Sequence, residues 1–349
     1  MRAFVSPCCT SSAARRRPAA AAPQRPAVPA PARARGARSA MAADGGEPWR
    51  LYYWPGVKGR GEYVRLCFAD AGAPLDDVAY TAAAERPAAA AGRDWASYRG
   101  SAGFKAVVDF CFTRPPPGAP LAHAPVRAPP VLARGGGGGP GGGGAGFALC
   151  NTPAICSYLN GVFGWAEALT PEQRARVDQI LSVILSDAVG EGRLAFHPVK
   201  FYGSHAEQVE ESKPYIAEYG TQRLPKYVQF LEDCLRWNEG GEGGGAAEGE
   251  GPGMEEGGSA AGAAAEGEGA AAEGEGRGGF LVGPDRTSAD IVAWHYLCAL
   301  EHHYREWYAP AMETAPRLAA FKRRIGARPR IAAYLASDAC PPWDRDSLM

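Results

Sequence analysis

The stretch LYYWPGVKGRGEYVRL, residues 51–66, sets Tyr52, Tyr53 and Trp54 directly before a Pro-Gly pair. A basic, glycine-spaced segment follows and runs into an amphipathic pattern. A phenol at a strand end that faces a positively charged helix start is a neutral donor beside a positive potential. The residues by themselves leave open whether Tyr52 or Tyr53 carries chemistry. Other constellations lead nowhere. His302 and His303, with His295 and Glu301, resemble a metal set, but consecutive helical residues point about 100° apart, and these read as surface histidines. GVKGRG, 56–61, lacks the GxxxxGK[ST] order of a phosphate loop. The nine cysteines form no CxxC pair or zinc spacing, and most sit in apolar runs, as reduced, packed thiols do. No metal is expected.

The tyrosines must be positioned by regular elements. WRLYYW, 49–54, is short, aromatic and apolar on both faces, as a strand buried between helices is. Pro55 and Gly56 stop it. Tyr63, Val64, Cys67, Phe68 and Ala71 then fall at helical spacing, with Gly72 as the stop. DDVAY, 76–80, is the next strand candidate, which makes a βαβ start. The segment 82–127 has weak periodicity. APPVLA, 128–133, brings a double proline before an apolar run, and FALCNTPAI predicts a strand through Cys150 and a helix capped by Thr152 with Pro153 at its first position. Beyond Trp165 the chain turns helical. TPEQ, 170–173, is a capping box, and Val177, Ile180, Leu181, Ile184, Leu185 and Ala188 form one stripe. TSAD, 287–290, is a second capping signal before IVAWHYLCAL, which is apolar all round and therefore central. Two more helices part near Arg328-Pro329. An α/β half followed by an all-helical half is the expected fold class.

Length alone, 349 residues, suggests two or three domains, but two stretches cannot pack. Residues 1–43 hold eight arginines and no acid, and 239–279 hold ten glutamates against Arg277 amid Gly and Ala. Neither has the apolar content to offset backbone ordering. The run 133–146, ARGGGGGPGGGGAG, reads as a flexible loop. Roughly 240 residues remain, enough for two cores. The opposite charges of the two stretches nearly cancel in a formal net charge of -1. A near-neutral core argues against nucleic acid or an anionic membrane as partner, and no apolar run is long enough for a membrane span. The Arg-rich, acid-poor front, 1–48, reads as an organelle transit peptide or disordered tail. Its proline and alanine content favours a plastid over a mitochondrion, and a start at Met41 would leave a cytoplasmic product.

Four of these landmarks, in order, resemble the soluble glutathione transferase superfamily of tyrosine type, the sigma/pi/alpha/mu-like and related bacterial members. YYWPGVKGRGEYVRL looks like the family's tyrosine-ending first strand and following helix, and PPVL like its cis-proline turn. NTPAI stands where the family has a Gln-Ser or Glu-Ser turn, and LVGPDRTSAD resembles the opening of its central C-terminal helix. The likeness covers 49–80 and 128–349 apart from the insert 239–279. It implies a thioredoxin-like glutathione-binding domain, 49–164, and an all-helical domain, 165–349, that supplies the electrophile pocket.

By register the resemblance makes Tyr53 the catalytic residue, with Tyr52 packing on the other face. Only a thiolate attacks, and a tyrosine hydroxyl aimed at the glutathione sulfur would stabilise it. A drop of about two pKa units takes roughly 2.7 kcal/mol, within reach of one hydrogen bond to an ion plus local dipoles. The helix start near Gly59–Gly61, with Lys58 and Arg60, would add positive potential. Thr152 would bind the γ-glutamyl carboxylate with its hydroxyl and N–H, and Asn151, one methylene shorter than Gln, would stand beside it. Pro130 looks like the cis-proline, preceding Val131; Pro129 has no N–H, so only its carbonyl can serve. Asp187 lies about 20° outside its helix's apolar stripe, either a solvated charge or the acid that the family offers to glutathione on a neighbouring subunit, which would require a homodimer. Trp54, Val57, Phe196 and Tyr202 are expected to line the electrophile pocket. The expected function is conjugation of glutathione, the co-substrate, to small electrophiles. The alternatives are a non-catalytic or regulatory glutathione-binding module, or a glutathione-dependent peroxidase or isomerase.

Overall fold

The computed structural model of the chain describes residues 48–80, 99–135, 146–200, 203–240 and 279–343. The expected leader 1–48, apart from Pro48, and the expected insert 239–279, apart from its ends, lie outside the described residues.

The first half alternates strands and helices. β1 (Trp49–Tyr52) leads through a Pro-Gly turn to α1 (Gly59–Ala71), β2 (Leu75–Asp77), α2 (Ala102–Phe112), β3 (Val131–Arg134), β4 (Phe147–Cys150) and α3 (Thr152–Val162). The sheet order is β2-β1-β3-β4. β2 runs parallel to β1, and β3 is antiparallel to both β1 and β4. Strand alternation splits the side chains between two cores. Trp49, Leu51 and Tyr53 join the large core with α1, α3 and the helical half. Tyr52 turns to the other face and stacks on Phe110 of α2, ring centroids 3.9 Å apart.

Three expectations shift. The strand foreseen at 76–80 is realised as Leu75–Asp77 and then a turn. The loop foreseen at 133–146 loses Ala133 and Arg134 to β3, where Ala133 pairs with both Arg50 and Ala148. The helix expected to be capped by Thr152 is capped by Asn151, whose Oδ1 accepts the Ala154 N–H at 3.4 Å.

The second half is helical: α4 (Pro171–Ser182), a π-helical segment Val183–Ala188, and α5 (Val189–Phe196) are continuous. They are followed by α6 (Val209–Glu218), a second π segment Tyr219–Arg223, and α7 (Leu224–Glu239). α8 (Ser288–His303), α9 (Arg305–Glu313), α10 (Pro316–Gly326) and α11 (Pro329–Leu335) complete it. Both capping boxes form, at Thr170–Gln173 and Thr287–Asp290. The Asp290 carboxylate is buried and accepts the N–H groups of Leu281 at 2.8 Å and Thr287 at 2.7 Å. α8 is buried from Ser288 to Leu300 apart from half-buried Cys298, and its last turn reaches solvent. This is the thioredoxin-like α/β domain followed by an all-α domain. No helix among the described residues is long and apolar enough to cross a membrane.

The two halves are clasped along α1. At its C-terminal end the buried Asp70 carboxylate pairs with Arg286 and with Arg328, the latter at 2.6 Å. Arg330 donates to the carbonyls of Asp70 and Ala71, the last unsatisfied acceptors of the helix. Near its start, the Tyr334 hydroxyl donates to Glu62 at 3.0 Å.

Candidate active site

Tyr53 follows the last residue of β1 and lies under the first turn of α1. The Arg60 N–H, one of the helix's unsatisfied donors, gives its hydrogen bond to the Tyr53 hydroxyl at 2.8 Å. Two glycines allow that approach. A Cβ on Gly59, whose φ is +41°, would stand 2.2 Å from the phenol oxygen, and one on Gly61 would stand 2.4 Å from the ring. GRG is therefore the sequence that lets a helix start close over a tyrosine. Burial pushes the Tyr53 pKa up, against the Arg60 amide and the charges of Arg60, Arg65 and Arg193, which pull it down. At neutral pH the hydroxyl keeps its proton and can donate it.

A buried ion network holds the turn behind this tyrosine. Arg65 donates to Asp77 at 2.6 Å, to Glu62 at 3.2 Å and to the carbonyls of Val57 and Lys58. Its guanidinium lies 5.6 Å from the centre of the Tyr53 ring. Lys58, expected to add positive potential at the site, is instead paired with Glu62 at 3.2 Å and donates to Cys340 Sγ at 2.9 Å. Burial raises the Glu62 pKa, yet the Lys58 and Arg65 charges outweigh it and hold the carboxyl below its ordinary range.

The second half-site is the start of α3. Asn151 has φ +76°, a left-handed backbone that Asn tolerates better than most residues. Thr152 follows, 2% exposed, and its hydroxyl has no hydrogen-bond partner among the described residues. A buried, unsatisfied hydroxyl at a helix N-terminus suits an incoming carboxylate, which would accept from it and from the helix amides. Asn151 spends its own Oδ1 on the cap. The Pro129-Pro130 peptide is cis and leads into buried Val131, which pairs with Cys150 at the end of β4.

The remaining site expectations scatter. Asp187 is exposed on the first π segment. Trp54 stacks on Phe104 and Phe112 of α2, at 5.3 and 6.3 Å. Val57 is buried behind the turn, and Phe196 packs edge-on against His205 and Tyr304. Tyr202 lies outside the described residues. None of Trp54, Val57 and Phe196 lines the cavity that opens beside Lys58.

That cavity, about 250 Å³, is walled by Lys58 and by α8 and the chain's C-terminal segment, including His295, His302, Arg305 and Trp343. Backbone dimensions put the Lys58 Cα within roughly 8 Å of the Tyr53 hydroxyl, because Gly59 touches that oxygen. The histidines expected at the surface are divided: His302 is exposed, His303 half-buried, and His295 only 3% exposed, with Nε2 lacking a partner among the described residues. Burial drives the His295 pKa down to about 3. No motif marks this wall, which draws on positions 58, 295, 302 and 343; only the charge spacing Lys58, Glu62, Arg65 on an apolar helix hinted at buried ion pairs.

Residues 271–338 match the family described as Glutathione S-transferase, C-terminal domain. No curated protein matches the chain. Similar solved structures include the glutathione S-transferase from Ascaris lumbricoides, 19% identical, covering 83% of this chain and 96% of that one, TM-score 0.42. A glutathione S-transferase from Caenorhabditis elegans is 20% identical over 85% and 99%, TM-score 0.45. A Nu-class enzyme from Haemonchus contortus is 18% identical over 85% and 98%, TM-score 0.44.

Proposed function

We propose that this chain, which has the two-part soluble glutathione transferase fold and a C-terminal domain matched to that family, conjugates glutathione to small electrophiles. One observation carries the reading: the Tyr53 hydroxyl is buried, neutral and already accepts the Arg60 N–H, so its proton remains for an anionic acceptor. A glutathione sulfur in that place would be held as thiolate by this donor and by the positive end of α1. Thr152 and the α3 amides would take the γ-glutamyl carboxylate, and the Pro129 carbonyl the cysteinyl N–H. The conjugation needs no general base in the attack itself; the thiol proton leaves for solvent before the carbon–sulfur bond forms. The cavity beside Lys58 would hold the electrophile.

The test is turnover of a general aromatic electrophile by wild type and Tyr53→Phe. A hydrogen bond to an ion is worth about 1.5–3 kcal/mol, so kcat/KM is expected to fall about 10- to 150-fold, with the bound thiol titrating at higher pH. Glutathione binding without turnover in wild type would favour a second reading, a binding or regulatory module. What favours that reading is the pair of weakened contacts, Asn151 with its Oδ1 committed to the cap and Pro129 with no N–H. A homodimer in which exposed Asp187 reaches the partner's glutathione is part of the proposal, as is a plastid leader at 1–48; sedimentation of wild type and Asp187→Ala, and the destination of a 1–48 reporter fusion, check them.

A further inference from the structure

We infer that the second substrate is an aromatic electrophile carrying its own carboxylate, a deepening that rests on the glutathione reading above. Glu62 is shared by Lys58 and Arg65, Asp77 is taken by Arg65, and Glu301 pairs with Lys322 at 2.7 Å. The carboxylates are thus matched. Arg305 lines the same cavity with no ion pair among the described residues, so of the charged groups on its wall, Lys58, Glu301 and Arg305, only Arg305 is left unmatched. Lys58 is 4% exposed and spends two of its three donors on Glu62 and Cys340, which leaves one for a guest. Burial first, and then the charges of Arg305 and Lys58, push the His302 imidazole toward its neutral form, as a net positive surrounding should.

The walls specify the body of the guest. The Trp343 indole lies nearly parallel to His302, 4.9 Å away at 14°, and to His295, 5.5 Å away at 11°. Trp294 closes another side. These rings stack on one another and, with Trp294, make an aromatic wall that favours an aromatic guest. A volume of about 250 Å³ lies below the range of about 300–1,000 Å³ for drug-sized sites, so one substituted ring fits better than a fused system. His295, 97% buried, lines the cavity with a ring whose Nε2 has no partner among the described residues, while Arg305 stands at the exposed side.

The experiment compares 4-chloro-3,5-dinitrobenzoate with its neutral amide, each rate divided by the uncatalysed rate with glutathione. In either reaction the sulfur–carbon bond forms, chloride leaves with its electron pair, and the thiol proton goes to solvent. Wild type is expected to favour the acid at least tenfold in kcat/KM, and Arg305→Gln to cut that ratio at least tenfold. Turnover of both with a ratio near one, or a ratio that Arg305→Gln leaves unmoved, overturns the inference and leaves the glutathione reading standing. If neither compound turns over, it is the glutathione reading that fails, and equilibrium binding decides the inference. Quenching of tryptophan fluorescence by 3,5-dinitrobenzoate and by its amide, neither of which has a leaving group, then supports it if the acid binds tenfold tighter and refutes it if the two bind alike.

Discussion

The Arg60 amide closes on the Tyr53 hydroxyl at 2.8 Å because Gly59 and Gly61 leave no side chain in the way. The contact fixes the phenol's orientation and supplies one of two hydrogen bonds that it can hold with a thiolate present.

Gly61→Ala is therefore expected to disturb the site with its fold intact. The new Cβ would lie 2.4–2.5 Å from Cδ1 and Cγ of the Tyr53 ring, atoms too near the backbone to swing aside. Overpacking of this kind costs about 1–3 kcal/mol. The displaced ring should raise the pH at which bound glutathione shows its thiolate absorbance. Gly161→Ala on α3, with nothing within 4 Å of its Cβ, is the matched control, expected to be neutral or stabilising by up to about 1 kcal/mol. An unchanged thiolate titration in Gly61→Ala would mean that the ring's position does not govern the sulfur.

Arg65 joins α1, β2 and the turn after β1 through four hydrogen bonds while 3% exposed. Arg65→Met should cost about 3–5 kcal/mol, the usual result of breaking a buried pair from one side. Adding Asp77→Asn should return part of that loss, because the carboxylate left behind is then neutralised; urea midpoints of the two singles and the double measure the coupling. Equal, additive losses would argue that the ion pair contributes nothing of its own.

The parts legible in the sequence were those encoded within about four residues. β1, α1 and its stop at Gly72, both capping boxes and the mostly buried helix α8 follow from local pattern. The cap at α3 lies one position before the one the sequence predicts, because Thr-Pro imitates a cap, whereas Asn151 reaches φ +76°, which no spacing reveals. The π segment Val183–Ala188 was invisible, since its buried positions keep the i, i+3, i+4 rhythm of the α-helix around it. α2 hid in an Ala/Pro-rich stretch because only Gly103, Val107 and Cys111 of it are buried. The cavity was missed for another reason: Lys58, His295 and Trp343 meet only after the C-terminal segment folds back along α1.

Thr152→Val should have opposite effects on stability and binding. The hydroxyl is buried without a partner among the described residues, so replacing it by a methyl group of the same shape removes a desolvated polar group and should leave the free protein equal or more stable, by about 1 kcal/mol. The cap is untouched, because Asn151 supplies it. Glutathione affinity should fall about 10- to 150-fold, as for one hydrogen bond to a charged group. Thermal melts with and without glutathione separate the two effects. A variant that loses stability without ligand would show that the hydroxyl has a structural partner instead.

His295 makes stability depend on pH in a direction its burial dictates. Desolvation drives its pKa down to about 3 from an ordinary 6.5, with Lys58 and Arg65 adding to the fall and Glu62 opposing it. Between those values the unfolded chain binds a proton that the folded chain refuses. The contribution is thus fully present above about pH 6.5 and is lost as pH falls toward 3, at about 1.4 kcal/mol per pH unit. His303, also pushed to about 3 by burial and by its histidine neighbours, adds a like term. Wild type should therefore lose stability between about pH 7.5 and pH 5, and His295→Phe, which keeps a ring against Tyr63 and Trp343, should shrink that loss by about 2 kcal/mol. Urea unfolding of both proteins at the two pH values is sufficient. The same loss in both would mean that the imidazole takes up its proton in the folded state, where the Glu62 charge favours it.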